Sequence, residues 1–327
     1  MRTEIERQYE SKDTLRIAKE ITTIYSGLAQ MKFLRAEDRK EFRYFKRMFL
    51  AALQRLDTRI QQGLIEPWSR QELALIQQES TAPTGGRGRP RKTPTHCLVF
   101  RRKVIRVGVF IGSFDPFQMT HLETAFLFMA RGTPPADILF VIPEGGESTL
   151  KPNRSEYAYR FDILRRQIER VFFPFIVPLN IGEGKDTIGI IDTLIRLFAG
   201  YPLELTHILG SDMFPLASRW YPEDLRIWNE TAQKNHVDFR FRTFVVQRKK
   251  EDTCEESLAL CKAQGIPVQF LKKVIGTPSS TQVREQGIFT IIFPTPEVIE
   301  KLEVVFRYGM NRHWLTKVEE ACPDTSR

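Results

Sequence analysis

Cysteine is scarce in this chain. Four occur in 327 residues, Cys97, Cys254, Cys261 and Cys322, at spacings that fit neither a metal site nor a redox pair. A disulfide scaffold is thereby excluded, and reduced thiols in a cytoplasmic protein are the expectation. Cys254 and Cys261 stand seven apart on a predicted helix and read as two such thiols. No run of 18 apolar residues is present, so no membrane-spanning helix is expected. Met1 to Glu6 hold none of the apolar character of a secretory signal. No internal repeat is visible, which removes solenoids and propellers.

Acidic residues are short at one end. Residues 1–103 carry 22 Lys+Arg against 12 Asp+Glu, whereas the whole chain carries 49 against 40. The basic excess therefore belongs to the N-terminal part, and the remainder is nearly neutral. Such a segment reads either as a surface for an acidic partner or as solubilising charge. The apolar content of 42% is ample for a sizeable core, and the length fits about two domains.

The N-terminal part reads as helical. Ile17, Ile21, Ile24 and Leu28 recur at spacings of four, three and four, one face of a helix. Phe42, Phe45, Phe49, Leu53, Leu56 and Ile60 form a second, longer stripe. Ser69 and Glu72 have capping-box spacing before a third helix carrying Leu73 and Ile76. These helices either form a small bundle or lay their stripes on the rest of the chain. A proline- and glycine-rich linker follows, with Arg87-Gly88-Arg89-Pro90 inside it. That run resembles an AT-hook core, whose arginines enter a narrow minor groove. A flexible basic tether is the other reading, and weak DNA contact through Arg87 and Arg89 is the functional one.

Beyond the linker, apolar runs alternate with helical patterns, which predicts parallel βαβ units. The expected strands are 105–112, 138–142, 174–178, 205–209, 242–247 and 267–271. Helices are expected over 121–130, closed by Gly132, and over 157–171. The first strand runs into Gly112-Ser113-Phe114-Asp115-Pro116-Phe117-Gln118-Met119-Thr120-His121. A glycine turn between a buried strand and a helix presents backbone N–H groups to an anion, usually a phosphate. Gln118 and His121, three apart, share one helix face.

This stretch resembles the signature of the nucleotidylyltransferase superfamily. It keeps Phe-Asp-Pro and the last residue of the family's His-x-Gly-His, with Gln118 at the first histidine and Thr120 at the glycine. Further segments follow in family order and resemble most closely the nicotinate/nicotinamide mononucleotide adenylyltransferases. They are Leu209-Gly210-Ser211-Asp212, Arg219-Trp220-Tyr221, the strand ending in Arg248, and Ser279-Ser280-Thr281-Gln282-Val283-Arg284. The resemblance spans roughly residues 103–311. It leaves 1–80 as a helical N-terminal domain, 81–102 as the basic linker and 312–327 as a tail.

The resemblance implies a Rossmann-like parallel sheet with helices on both faces. It also implies adenylyl transfer from ATP, with Mg²⁺, to a pyridine mononucleotide. His121, Gln118 and Lys151 would stand at the reacting phosphates. Gly112, Ser113, Phe114, Asp212, Ser279, Ser280, Thr281 and Arg284 would hold ATP. Trp220, Asp192, Thr193 and Arg248 would hold the acceptor. Read as residues alone, several have a plainer role. Ser279 to Thr281 and Asp212 are helix-capping types, and Asp192-Thr193 reads as the opening of an amphipathic helix. Lys151 reads as a surface lysine, Trp220 as half-buried core, and Arg160 as structural.

Overall fold

Along the second strand, Ile138, Phe140 and Ile142 fall in one hydrophobic cluster while Leu139 and Val141 fall in another. Apolar side chains in both phases of a period-two element require cover on both faces of the sheet. The computed structural model describes residues 3–30, 36–81, 100, 102–146, 154–273, 275–276, 279–286 and 292–295. Within them lies a six-stranded parallel sheet of β1 (Ile105–Gly112), β2 (Ile138–Pro143), β3 (Ile176–Pro178), β4 (Leu203–Gly210), β5 (Phe239–Val246) and β6 (Val268–Leu271). The strand order is 3-2-1-4-5-6, the doubly wound arrangement whose direction reverses between β1 and β4.

Ten helices are present among the described residues. α1 (Glu4–Gln8), α2 (Lys12–Gln30), α3 (Ala36–Gln61) and α4 (Arg70–Thr81) precede the sheet. α5 (Met119–Arg131), α6 (Tyr157–Phe172), α7 (Thr187–Leu197), α8 (Phe214–Lys234), α9 (Glu255–Ala263) and α10 (Ser280–Gln286) connect or follow its strands. None is long and apolar enough to cross a membrane. α5 and α6 pack on one face of the sheet; α7, α8 and α9 pack on the other. Gly108 permits the close approach of α5, because a side chain there would strike the Phe128 ring. Gly132 closes α5 as expected, its N–H reaching Phe128 O at 2.7 Å.

The N-terminal helices form no separate core. The stripes of α2 and α3 join Phe126, Leu127 and Phe172 in the cluster that covers α5 and α6. Trp68, Leu73 and Ile76 go to the opposite face with Phe140 and Phe198. Of the two arrangements left open by the sequence, the stripes lie on the α/β part.

The basic excess of this region is partly used inside the fold. Arg16 donates to the carbonyls of Arg170 and Val171, and Arg59 donates to Met129 O at 3.2 Å. Each guanidinium thus caps a helix C-terminus, where the dipole favours positive charge. Arg102 is buried against Trp68 and bonds Glu72, the Glu66 carbonyl and the Pro67 carbonyl. The capping box read at Ser69 and Glu72 is present in both directions. Residues 82–99 of the linker, with Arg87 and Arg89, and the tail beyond 295 lie outside the described residues.

Candidate active site

The turn after β1 is built around a strained aromatic. Phe114 has φ 42°, in the left-handed region that a bulky side chain enters at a cost of about 1–3 kcal/mol. Its ring is buried and packs edge-on to Phe110 at 5.0 Å and Phe117 at 5.4 Å. The same rings surround His121, whose centroid lies 6.1, 5.1 and 5.4 Å from Phe110, Phe114 and Phe117. The backbone N–H of Gln118 donates to His121 Nδ1 at 3.2 Å. With Nδ1 an acceptor, the ring's hydrogen sits on Nε2 in the neutral form. His121 is therefore held in one orientation and one tautomer on a half-buried ring.

Gln118 behaves differently from what a phosphate-facing position requires. It is fully buried and is the N-cap of α5. Its Oε1 accepts from the Thr120 N–H at 2.7 Å, and its Nε2 donates to Thr120 Oγ1 at 2.5 Å. Gln118 and Thr120, the two departures from His-x-Gly-His, thus bond to each other at the helix start.

Arg160 holds the floor of the turn. Its buried guanidinium donates to Ser113 O at 2.6 Å, Glu144 O at 2.7 Å and Ser155 O at 2.9 Å. It ties the ends of β1 and β2 to the start of α6, as a structural arginine should. Gln167 Nε2 adds a bond to Phe117 O at 2.7 Å, a contact for which the sequence holds no signal.

The late serine cluster meets this turn. Ser279 caps α10: its Oγ accepts from the Gln282 N–H at 3.2 Å and its N–H donates to Gln282 Oε1 at 2.8 Å. Ser280 Oγ donates to the Pro116 carbonyl at 2.8 Å. The Ser280 hydroxyl hydrogen is therefore committed within the protein, while Thr281 stands exposed. Arg284 lies on α10 one turn further, with its side chain outside the described set; Lys151 lies outside it altogether.

Across the switch point, β4 ends at Gly210. A side chain there would collide with the Asp212 carboxylate and the Arg248 stem, so these two crowd the strand end together. Asp212 is exposed. Ser211 is the anchor that sequence reasoning passed over: its Oγ donates to Asp252 Oδ2 at 2.6 Å and accepts from the Arg248 N–H at 2.8 Å. Trp220 is 53% exposed on α8, not half-buried in core.

Asp192 and Thr193 do not open a helix. α7 starts earlier, with Asp186 accepting from the Gly189 N–H at 2.9 Å as its cap. Asp192 instead accepts from Thr231 Oγ1 at 2.5 Å and pairs with Arg196 at 2.8 Å. Thr193 Oγ1 donates to Gly189 O at 2.7 Å, one turn back. Cys254 likewise precedes α9 while Cys261 is buried within it, and both are free thiols.

No group of three or more His, Cys, Asp or Glu able to hold a metal is found among the described residues.

No family model and no curated protein matches the chain. Among solved structures, it resembles Plasmodium falciparum nicotinic acid mononucleotide adenylyltransferase complexed with APC and with NaAD. Identity is 18% in both cases, over 63% of this chain and 98% of that one, with TM-scores of 0.39 and 0.41. Thermotoga maritima TmcAL bound with alpha-thio ATP is 14% identical over 65% of this chain and 57% of its own, with a TM-score of 0.30. These likenesses are too distant to bear on chemistry, which is left to the residues around Gly112 and Pro116.

Proposed function

We propose that the chain transfers an adenylyl group from ATP to nicotinate or nicotinamide mononucleotide and releases pyrophosphate. The observation that carries this reading is the bond from Ser280 to the Pro116 carbonyl. It joins the serine segment to the glycine turn at the sheet's switch point, where open α/β sheets take ligands.

An oxygen of the mononucleotide phosphate attacks the α-phosphorus. The bond to the bridging oxygen breaks, and pyrophosphate leaves with the electron pair. No side-chain nucleophile takes part, so the protein's task is to position the reactants and to neutralise phosphoryl charge. His121 supplies an Nε2–H donor, and the Ser113 and Phe114 N–H groups line the turn. Ser279, Thr281 and Arg284 hold the leaving phosphates, and Lys151 serves the mononucleotide phosphate. Asp212 and Arg248 fix nucleoside groups, and exposed Trp220 offers a face to the pyridine ring. Mg²⁺ would be carried by the leaving phosphates and offset their charge.

A second reading is nucleotide binding with little or no turnover. The inward-facing Gln118 favours it, since His121 is then the one histidine of the motif at the phosphates. One assay separates the two: pyrophosphate release from Mg²⁺, ATP or CTP and a panel of phosphorylated acceptors. Release with the pyridine mononucleotides supports transfer. Release with another acceptor moves the acceptor, and ATP binding without release selects the second reading.

A further inference from the structure

α3 crosses the C-terminal half of α5, and between them opens a cleft of about 350 Å³. That volume is at the lower end of small-molecule sites. Met48 and Leu127 form part of its apolar lining. Around them stand four cations, Arg47, Arg55, Arg131 and Lys273. They come from three separate parts of the chain, so the cluster is a product of the fold.

Three of the four, Arg47, Arg55 and Arg131, have charge that no carboxylate offsets among the described residues. Lys273 is the exception: it pairs with the buried Glu123 at 3.7 Å, a carboxylate that also accepts from Tyr44 Oη at 2.6 Å and from the Gly276 N–H at 3.0 Å. Arg47, Arg55 and Arg131 have no carboxylate within ion-pair distance among the described residues. Some surface arginines are paired, such as Arg226 with Glu223 and Glu230 and Arg165 with Asp162 and Glu169. Burial and the neighbouring Arg55 both lower the pKa of Arg131. Like charges gathered over an apolar surface oppose one another unless an anion lies between them.

We propose that this cleft is a binding site for a soluble phosphate monoester with an apolar body. The guanidinium groups would fork its phosphate oxygens, and the lining of Met48 and Leu127 would take the apolar part. No residue lining the cleft belongs to the turn at Pro116 or to α10, and the proposal rests on no role given to His121 or Ser280.

Calorimetric titration with phenyl phosphate tests it. One site per chain is expected, half-filled near about 1 mM, the range for a ligand of that size. Inorganic phosphate should bind several-fold more weakly, since it leaves the lining bare. Arg55→Gln with Arg131→Gln should weaken phenyl phosphate about 10-fold or more. His121→Ala should leave its affinity unchanged, which separates this site from the proposed nucleotide site. If the double variant does not fold, exposed Arg47→Gln carries the same test with a loss of about 3-fold. Affinity that survives the arginine substitutions, or that is lost with His121→Ala, overturns the proposal. So does binding to phosphatidate vesicles with none to phenyl phosphate.

Discussion

The Ser280 hydroxyl and the Pro116 carbonyl are 164 residues apart in the chain and 2.8 Å apart in space. That bond decides whether the glycine turn and the serine segment form one surface. Ser280→Ala removes the donor and leaves the carbonyl to water. The expected loss is about 1 kcal/mol, which reads as roughly 5-fold weaker MgATP binding by titration. Unchanged ATP affinity would show that the two segments do not share a ligand.

His121 is the side chain whose removal should affect chemistry more than binding. Its ring is fixed by Gln118 N–H and by three phenylalanines. His121→Ala should lower pyrophosphate release by about 100- to 1,000-fold, the usual loss for one preorganised donor at a transition state. ATP affinity measured in the same preparation should fall far less. Equal losses in both would make His121 a binding group only.

Gln118→His supplies the first histidine of the His-x-Gly-His pattern that the sequence resembles, yet it should not raise turnover. The glutamine is fully buried and both ends of its amide are bonded to Thr120. An imidazole cannot reproduce that pair of bonds in the same space, and losing an N-cap costs about 1 kcal/mol. A lower melting temperature with unchanged or reduced pyrophosphate release is expected. A large gain in release would mean that the histidine reaches the phosphates and that Gln118 limits the native chain.

Much of the framework was legible because it depends on local pattern. The strand at 105–112 and the helix closing at Gly132 appear as read, since a continuous apolar run and a glycine stop each act within a few residues. The capping box at Ser69 and Glu72 is legible for the same reason. Asp192 was misread because a polar pair before an apolar stretch looks like a cap. The true cap, Asp186, lies one and a half turns earlier, and Asp192 is used to bond Thr231 on another helix. Ser211, Gln167 and the arginine cleft were not legible at all. Their partners, Asp252, Phe117 and the residues of α3 and α5, are set by tertiary packing, which spacing along the chain does not encode. The role of Gln118 stood between these cases. The departure from the motif was plain, but its inward orientation needed coordinates.

Asp224 gives a test of the fold that is independent of any ligand. It is buried on α8, and its pKa is pushed up to about 6, first by burial and then by the nearby charges of Asp186 and Glu223. In the unfolded chain it titrates near about 4. Folding therefore favours the protonated form. The penalty is absent below about pH 4, grows between about pH 4 and 6, and is complete above that window. Asp224→Asn stays neutral throughout, so its stability relative to the native chain should rise with pH. The gain at pH 8 should be about 1–2 kcal/mol, after allowing for partial hydration of the carboxylate, and close to zero at pH 4. His207, held neutral by burial with its pKa lowered to about 4, loses stability as pH falls through the same window. Both chains carry it, so it cancels in the difference. Urea unfolding of the two chains at pH 4, 6 and 8 measures that difference directly, and a gap that does not change with pH would show that Asp224 is ionised without strain in the native state.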